Sequence, residues 1–181
     1  LAQLDDPKTV AIALRALDGV KVDDFLDFAV WSICREHRDR WVKEMTTKGE
    51  NPFDSLSQLL FASSAIGEAI GADQILASVE NGTITDDKKV WEVANWMANE
   101  GSPSHLETLL DLALKSSSVS RQHACLNALL NAKKIRKVNP SGDLQRVIQF
   151  LESENDTIWS TATQLAGLWK LEVARSSLQQ V

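Results

Sequence analysis

The sequence predicts an all-α fold of antiparallel helix pairs stacked in chain order within a single domain spanning residues 1–181. Three observations predict it. Strand signals are almost absent: there is no Tyr, and no sustained alternation bounded by Asn-Gly or Asp-Gly turns. Helix start and stop residues recur along the whole chain, with connections of two to six residues that turn each helix back on the last. The apolar pattern also repeats when the chain is slid along itself.

The elements follow from that punctuation. Asp6-Pro7 reads as an N-cap with a first-turn proline, and Gly19 closes the first helix. Asp23 and Asp24 open a second helix that runs to about Lys48-Gly49, so that 23–47 is expected to be the longest. Pro52 follows that stop, and Asp54 is expected to cap a third helix ending near Gly71. Helices then fit 72–81, 86–100, 103–116, 118–133, 143–154 and 156–170, with a tail helix beyond.

A slide of 38 residues sets Leu109, Leu110 and Ala113 over Val147, Ile148 and Leu151, and Ala124, Ala128 and Leu130 over Ala162, Ala166 and Leu168. A weaker slide of 30 sets Val90, Ala94 and Ala98 over Ser120, Ala124 and Ala128. Repeats of about 30–47 residues with two helices each are those of HEAT and armadillo arrays. The expected architecture is therefore a right-handed α-α superhelix of about five helix pairs. Wide apolar arcs fit it: Val90, Val93, Ala94 and Met97 form one stripe with Trp91 on its flank, and Ile158, Ala162, Leu165 and Trp169 form another with Trp159 beside it.

Composition narrows the function classes. A net charge of −6 and a hydrophobic fraction of 44% describe an ordinary globular chain and disfavour a polyanion as the general partner. No apolar run approaches the ~18 residues that span a bilayer. Leu1 stands where an initiator Met would, which reads as a fragment or a processed product. The two cysteines, Cys34 and Cys125, read as small buried hydrophobes rather than a disulfide scaffold.

The densest stretch is FLDFAVWSICREHRDRW, residues 25–41. On a helix, Leu26, Ala29, Val30, Ile33, His37 and Trp41 share a face that Phe25 and Phe28 broaden, so the aromatics are expected in the core. Glu36 with Arg40, and Arg35 with Asp39, then form a solvated back. His37 and Cys34 are two donors where zinc needs three or four, so His37 is expected buried beside Trp41 and Ile33 without a metal.

LDFAVWSICREHRDRW resembles the "LDYALW…R…W" helix of large exported proteins of planctomycetes, verrucomicrobia and relatives, and the preceding PKTVAIALRALDG resembles the short helix leading into it. Those proteins join a sugar-dehydrogenase-like propeller to HEAT repeats and a haem-binding cytochrome c module. The resemblance covers residues 7–45 and implies a helical spacer between active modules, with an exported or periplasmic address. The family's Cys-x-x-Cys-His haem motif is absent here, so neither haem chemistry nor any other cofactor is carried over.

Chemistry-bearing motifs are few. His37, His105 and His123 are scattered, and no GxSxG elbow or glycine-rich phosphate loop occurs. Asp5-Asp6, Asp23-Asp24 and Asp86-Asp87 each precede a helix, where carboxylates cap free N–H groups. KKIRK, residues 133–137, reads as positive charge at a helix C-terminus. Asn81-Gly82-Thr83 and Asn155-Asp156-Thr157 match glycosylation sequons in turns.

The function expected is thus a non-catalytic scaffold that docks a protein partner or neighbouring domains of its parent chain. The rival is a nucleic-acid-binding HEAT protein of the alkylated-base glycosylase kind, which would need a basic groove. The candidate partner-binding residues lie on polar ridges of second helices: Glu92, Trp96 and Asn99 on 86–100, Asn127 and Asn131 (with Ser120) on 118–133, and Ser160 and Gln164 (with Thr163) on 156–170. Trp96 is the odd member, because a large aromatic is costly to leave in water unless the next repeat or a partner covers it.

Overall fold

The computed structural model of the protein describes residues 8–17, 24–48 and 51–172, and among these the regular structure is helical without a strand. The chain divides into two compact units, Leu1–Gly71 and Ala72–Val181.

In the first unit, α1 (Thr9–Arg15) packs on α2 (Asp24–Glu36), and α2 packs on α4 (Leu56–Ile66). Between them α3 (Arg38–Lys43) continues into a π-helical turn, Glu44–Lys48. The core is built by Val10, Leu14, Val30, Cys34, Trp41, Phe53, Leu59 and Ala62. Several expectations fail here. The single helix expected over 23–47 breaks at His37, whose φ of −99° and ψ of 13° leave the helical well. The indole N–H of Trp41 donates to the Cys34 carbonyl at 3.0 Å. A side-chain donor that enters the backbone ladder in this way is a known cause of helix kinks. As a result the longest α-helix among the described residues is α6, Asp87–Glu100.

The second failure is the face that α2 buries. Val30, Cys34, His37 and Trp41 go inside, whereas Phe25 is 88% and Phe28 66% exposed, and Ala29 is exposed as well. Helix α2 is apolar around most of its circumference, so spacing alone does not select a face. Trp41 does, by anchoring to Cys34 and meeting Phe53 edge-on at 5.4 Å.

The cap of α4 also differs from expectation. Ser55 Oγ accepts from the Gln58 N–H at 3.2 Å, while the Asp54 carboxylate turns to Arg15 instead. The helix stops at Gly67, not near Gly71, because Gly67 supplies the left-handed φ of 68° that this C-terminal turn needs. The boundaries expected at Asp6-Pro7, Gly19, Asp23 and Gly49, and the tail helix beyond 172, lie outside the described residues.

The second unit contains three helical hairpins. They are α5 (Ala72–Glu80) with α6, α7 (Pro103–Lys115) with α8 (Val119–Asn131), and a 3₁₀ helix (Leu144–Glu152) with α9 (Asp156–Leu168). Helix α6 packs most extensively on α8, α8 packs in turn on α9, and α5 packs on α7, so successive hairpins lie against one another in chain order. Side-chain caps start these helices: Asp86 for α6, as the sequence implied, and Ser102 for α7, Ser118 for α8 and Asn155 for α9. The segment expected as an ordinary helix over 143–154 is instead 3₁₀. Its buried residues are Val147, Phe150 and Leu151, a spacing that an α-helix would show equally well.

The long-range polar links have a common span. Arg15 meets Asp54, Arg38 meets Glu68, Lys115 meets Glu80, Arg121 meets Asp87, and Arg146 meets both Glu107 and Asp111. Arg35 donates to the Ala65 carbonyl, Arg136 to the Ala98 carbonyl and Lys134 to Gln164. Each of these joins residues 30 to 39 positions apart.

Candidate binding surface

Burial along α6, α8 and α9 defines the surface that the second unit presents. Helix α8 buries Ala124, Cys125, Ala128 and Leu129 and leaves a stripe of Ser120, His123, Asn127 and Asn131 facing outward, which Lys134 continues in the π-helical turn Ala132–Arg136 beyond it. On α6 the corresponding stripe is Lys88, Glu92, Asn95 and Asn99; on α9 it is Ser160, Thr163 and Gln164. Of the ridge residues expected from sequence, Asn99, Ser160 and Gln164 are exposed, and Glu92, Asn127 and Asn131 are half-buried.

Trp96 is not on that surface. It is 4% exposed, and its indole N–H is buried without a hydrogen-bond partner among the described residues. Helical angle placed Trp96 and Asn95 on opposite shoulders of the Glu92–Asn99 line, and packing buries the apolar shoulder. Asn95 therefore takes the outward place, as does His123 on α8; sequence reasoning missed both. Their signal was their polarity at stripe positions, which the aromatic bulk of Trp96 outweighed.

The ridge is rich in carboxamides with spare hydrogen-bonding capacity. Among the described residues, no hydrogen-bond partner engages the side chains of Glu92, Asn95, Asn99, Asn127 or Asn131. Gln164 differs, since its Oε1 accepts from Lys134 Nζ at 2.9 Å. His123 leans on the Trp91 ring, with centroids 5.5 Å apart.

The remaining chemistry-bearing groups take structural places. His105 completes a capping box with Ser102: the His105 N–H donates to Ser102 Oγ, and the Ser102 N–H donates to His105 Nδ1. That leaves Nε2 as the imidazole donor toward Asp73 Oδ1, 3.3 Å away. His37 is buried, with Nδ1 facing the Arg40 guanidinium at 3.3 Å. Cys34 and Cys125 are free and buried, and burial pushes both thiols up to about 12. Within KKIRK, Lys134 and Arg136 bridge to Gln164 and to the Ala98 carbonyl, and Lys137 reaches back to the Lys134 carbonyl. Asp86 caps α6 through the Lys89 N–H, and Asp24 lies in the first turn of α2; Asp5-Asp6 and Asp23 lie outside the described residues. Asn155 of one sequon caps α9, and Asn81 of the other accepts from Thr83 in a tight turn.

A cavity of about 140 Å³ lies where α5, α6, α7 and α8 meet, lined in part by Glu80, Lys115, Ser116, Arg121 and Cys125. Its charged groups are already paired, Lys115 with Glu80 at 2.6 Å and Arg121 with Asp87 at 2.9 Å. Among the described residues, no group of three or more His, Cys, Asp or Glu is placed to hold a metal ion, and no helix is long and apolar enough to cross a membrane. No family model, curated protein or solved structure matches the chain.

Proposed function

We propose that the chain is a non-catalytic helical-repeat scaffold, a right-handed HEAT-like solenoid whose amide-rich ridge docks an extended peptide segment of a partner or of a neighbouring domain. On the resemblance carried by residues 7–45, we place it as the spacer between modules of a larger exported dehydrogenase-like protein. The observation that carries the reading is the common span of the polar links. Repeated contacts that reach one helix pair along the chain are what quasi-one-dimensional repeat stacking produces.

The peptide preference follows from the chemistry of the ridge. A carboxamide offers a donor and an acceptor together, which matches the paired N–H and C=O groups of an extended backbone. Asn95 and Asn99 on α6, and Asn127 and Asn131 on α8, present four such groups on two packed helices, with Glu92 beside them. A nucleic-acid reading fits less well. Glu92 offsets Lys88 on the same stripe, and Lys134, Arg136 and Lys137 of the basic run make links within the chain.

The test is selection of a random linear-peptide display library on the chain, followed by titration of enriched peptides on an Asn127→Ala/Asn131→Ala variant. Loss of affinity by about tenfold or more, with the helical signal unchanged, is the expected result. Enriched peptides that bind the variant as well as the native chain, or a library that yields none, would overturn the reading.

A further inference from the structure

Helix α2 carries an exposed stripe that is complementary to itself. Asp24, Phe28, Trp31 and Arg35 recur at intervals of four, three and four residues, so they lie within a narrow arc of one helix face. That arc points away from the buried Val30–Cys34–Trp41 side. Phe28 is 66% and Trp31 36% exposed, and Phe25 beside them is 88% exposed.

The stripe is already ordered. The Phe28 and Trp31 rings stack with centroids 5.8 Å apart and planes at 18°, and the Arg35 guanidinium lies 4.6 Å from the Trp31 centroid. Arg35 is further fixed by donating to the Ala65 carbonyl at 3.1 Å. Side chains held in place before binding lose little entropy on association. Three large apolar side chains gathered on one exposed helix face form a patch of the kind that marks an interaction site.

The charge order names the occupant. Read along the helix the stripe is acid, aromatic, aromatic, base, and an antiparallel copy reads base, aromatic, aromatic, acid. A two-fold axis crossing α2 between Ala29 and Val30 sets Asp24 against Arg35 of the second copy, and Phe28 against its Trp31. It does so twice, as an isologous contact requires. We propose that the chain self-associates through this face of α2, forming a weak antiparallel homodimer. A single helix face buries less surface than a standard protein interface, so the dimer is concentration-dependent rather than obligate.

Sedimentation equilibrium over a wide concentration range tests this, with Asp24→Arg, Arg35→Asp and Phe28→Ser variants. The native chain is expected to dimerise. Phe28→Ser, at an exposed position, should raise the dissociation constant about tenfold or more without altering the helical signal. Asp24→Arg alone sets two cations against two cations, and Arg35→Asp alone sets two anions against two anions, so each should be monomeric where the native chain is dimeric. Mixing the two restores both pairs and should give a heterodimer. A native chain that stays monomeric throughout leaves the face to some other occupant and overturns the proposal. A dimer insensitive to both Asp24→Arg and Phe28→Ser is held by another surface and also overturns it. If Arg35→Asp does not fold, those two variants decide the matter alone.

Discussion

Arg121, in the first turn of α8, donates from Nε to Asp87 Oδ1, in the first turn of α6, at 2.9 Å, and its Nη2 reaches the Thr85 carbonyl. The pair joins equivalent ends of second helices in adjacent hairpins. Asp87 favours the positive end of α6, while a cation at the start of α8 is unfavourable unless paired. Arg121→Ala should therefore destabilise the second unit by about 1 kcal/mol, between the value of an exposed pair and that of a bond to a charged group. A double-mutant cycle with Asp87→Ala should give a coupling of about 0.5 kcal/mol or more in chemical denaturation. Strict additivity would show that the two side chains act independently.

Two buried tryptophans should respond differently to the same substitution. Trp41 is fully buried and its N–H holds the Cys34 carbonyl, whereas the Trp96 N–H has no partner. Trp96→Phe removes a donor that stabilises nothing, so it should cost under about 1.5 kcal/mol, while Trp96→Ala should cost about 3–5 kcal/mol through the space left behind. Trp41→Phe also leaves a buried carbonyl short of its donor, adding about 1–3 kcal/mol. Thermal melts of the three variants check the order. A Trp96→Phe change as harmful as Trp41→Phe would contradict the assigned roles.

These two residues also mark what sequence could and could not convey. Helix positions were readable where a cap and an apolar period coincide, as at Asp86 with Val90–Met97. The break at His37 was not, because it depends on a bond from Trp41 to a backbone carbonyl that no spacing rule encodes. The 3₁₀ form of Leu144–Glu152 was hidden because its buried residues, Val147, Phe150 and Leu151, keep the i, i+3, i+4 spacing of an ordinary α-helix. For the candidate surface, polarity at outward helical angles marked Asn99 and Gln164, which are exposed, and Asn127, which is half-buried. For Trp96 the sequence left cover by the next repeat and a partner site both open, because a wide apolar arc has no sharp edge and only the neighbouring helices decide which shoulder is covered.

The thiols provide a chemical check on burial. Cys34 is wholly buried and Cys125 is 1% exposed, and desolvation disfavours the thiolate of each. Since the thiolate is the reactive form, neither should react with a disulfide reagent at neutral pH in the native chain, and both should react fully in denaturant. Raising the pH toward the shifted value of about 12 would release them only as the fold itself fails. Rapid labelling of one thiol at neutral pH would show that its unit opens on the timescale of the assay.

The first unit should show a specific acid sensitivity through Asp54. Its carboxylate takes both Nε and Nη2 of Arg15, at 2.6 and 3.2 Å, and the hydrogen bonds from Arg15 hold it below its ordinary carboxyl value. A group depressed in the folded state releases its proton more readily there than in the unfolded chain. Its contribution is therefore fully present above the unfolded value and is lost as pH falls through the folded one. Asp54→Asn removes the charge and with it this dependence. Native chain and variant should differ by a constant amount in denaturation midpoint above about pH 5, and the difference should shrink steadily below that. The effect is small because both side chains are about half exposed, at 59% and 50%, so solvent screens the pair. Added salt should narrow the gap at neutral pH for the same reason. A gap that widens on acidification would mean that Asp54 destabilises the fold, contrary to its geometry with Arg15.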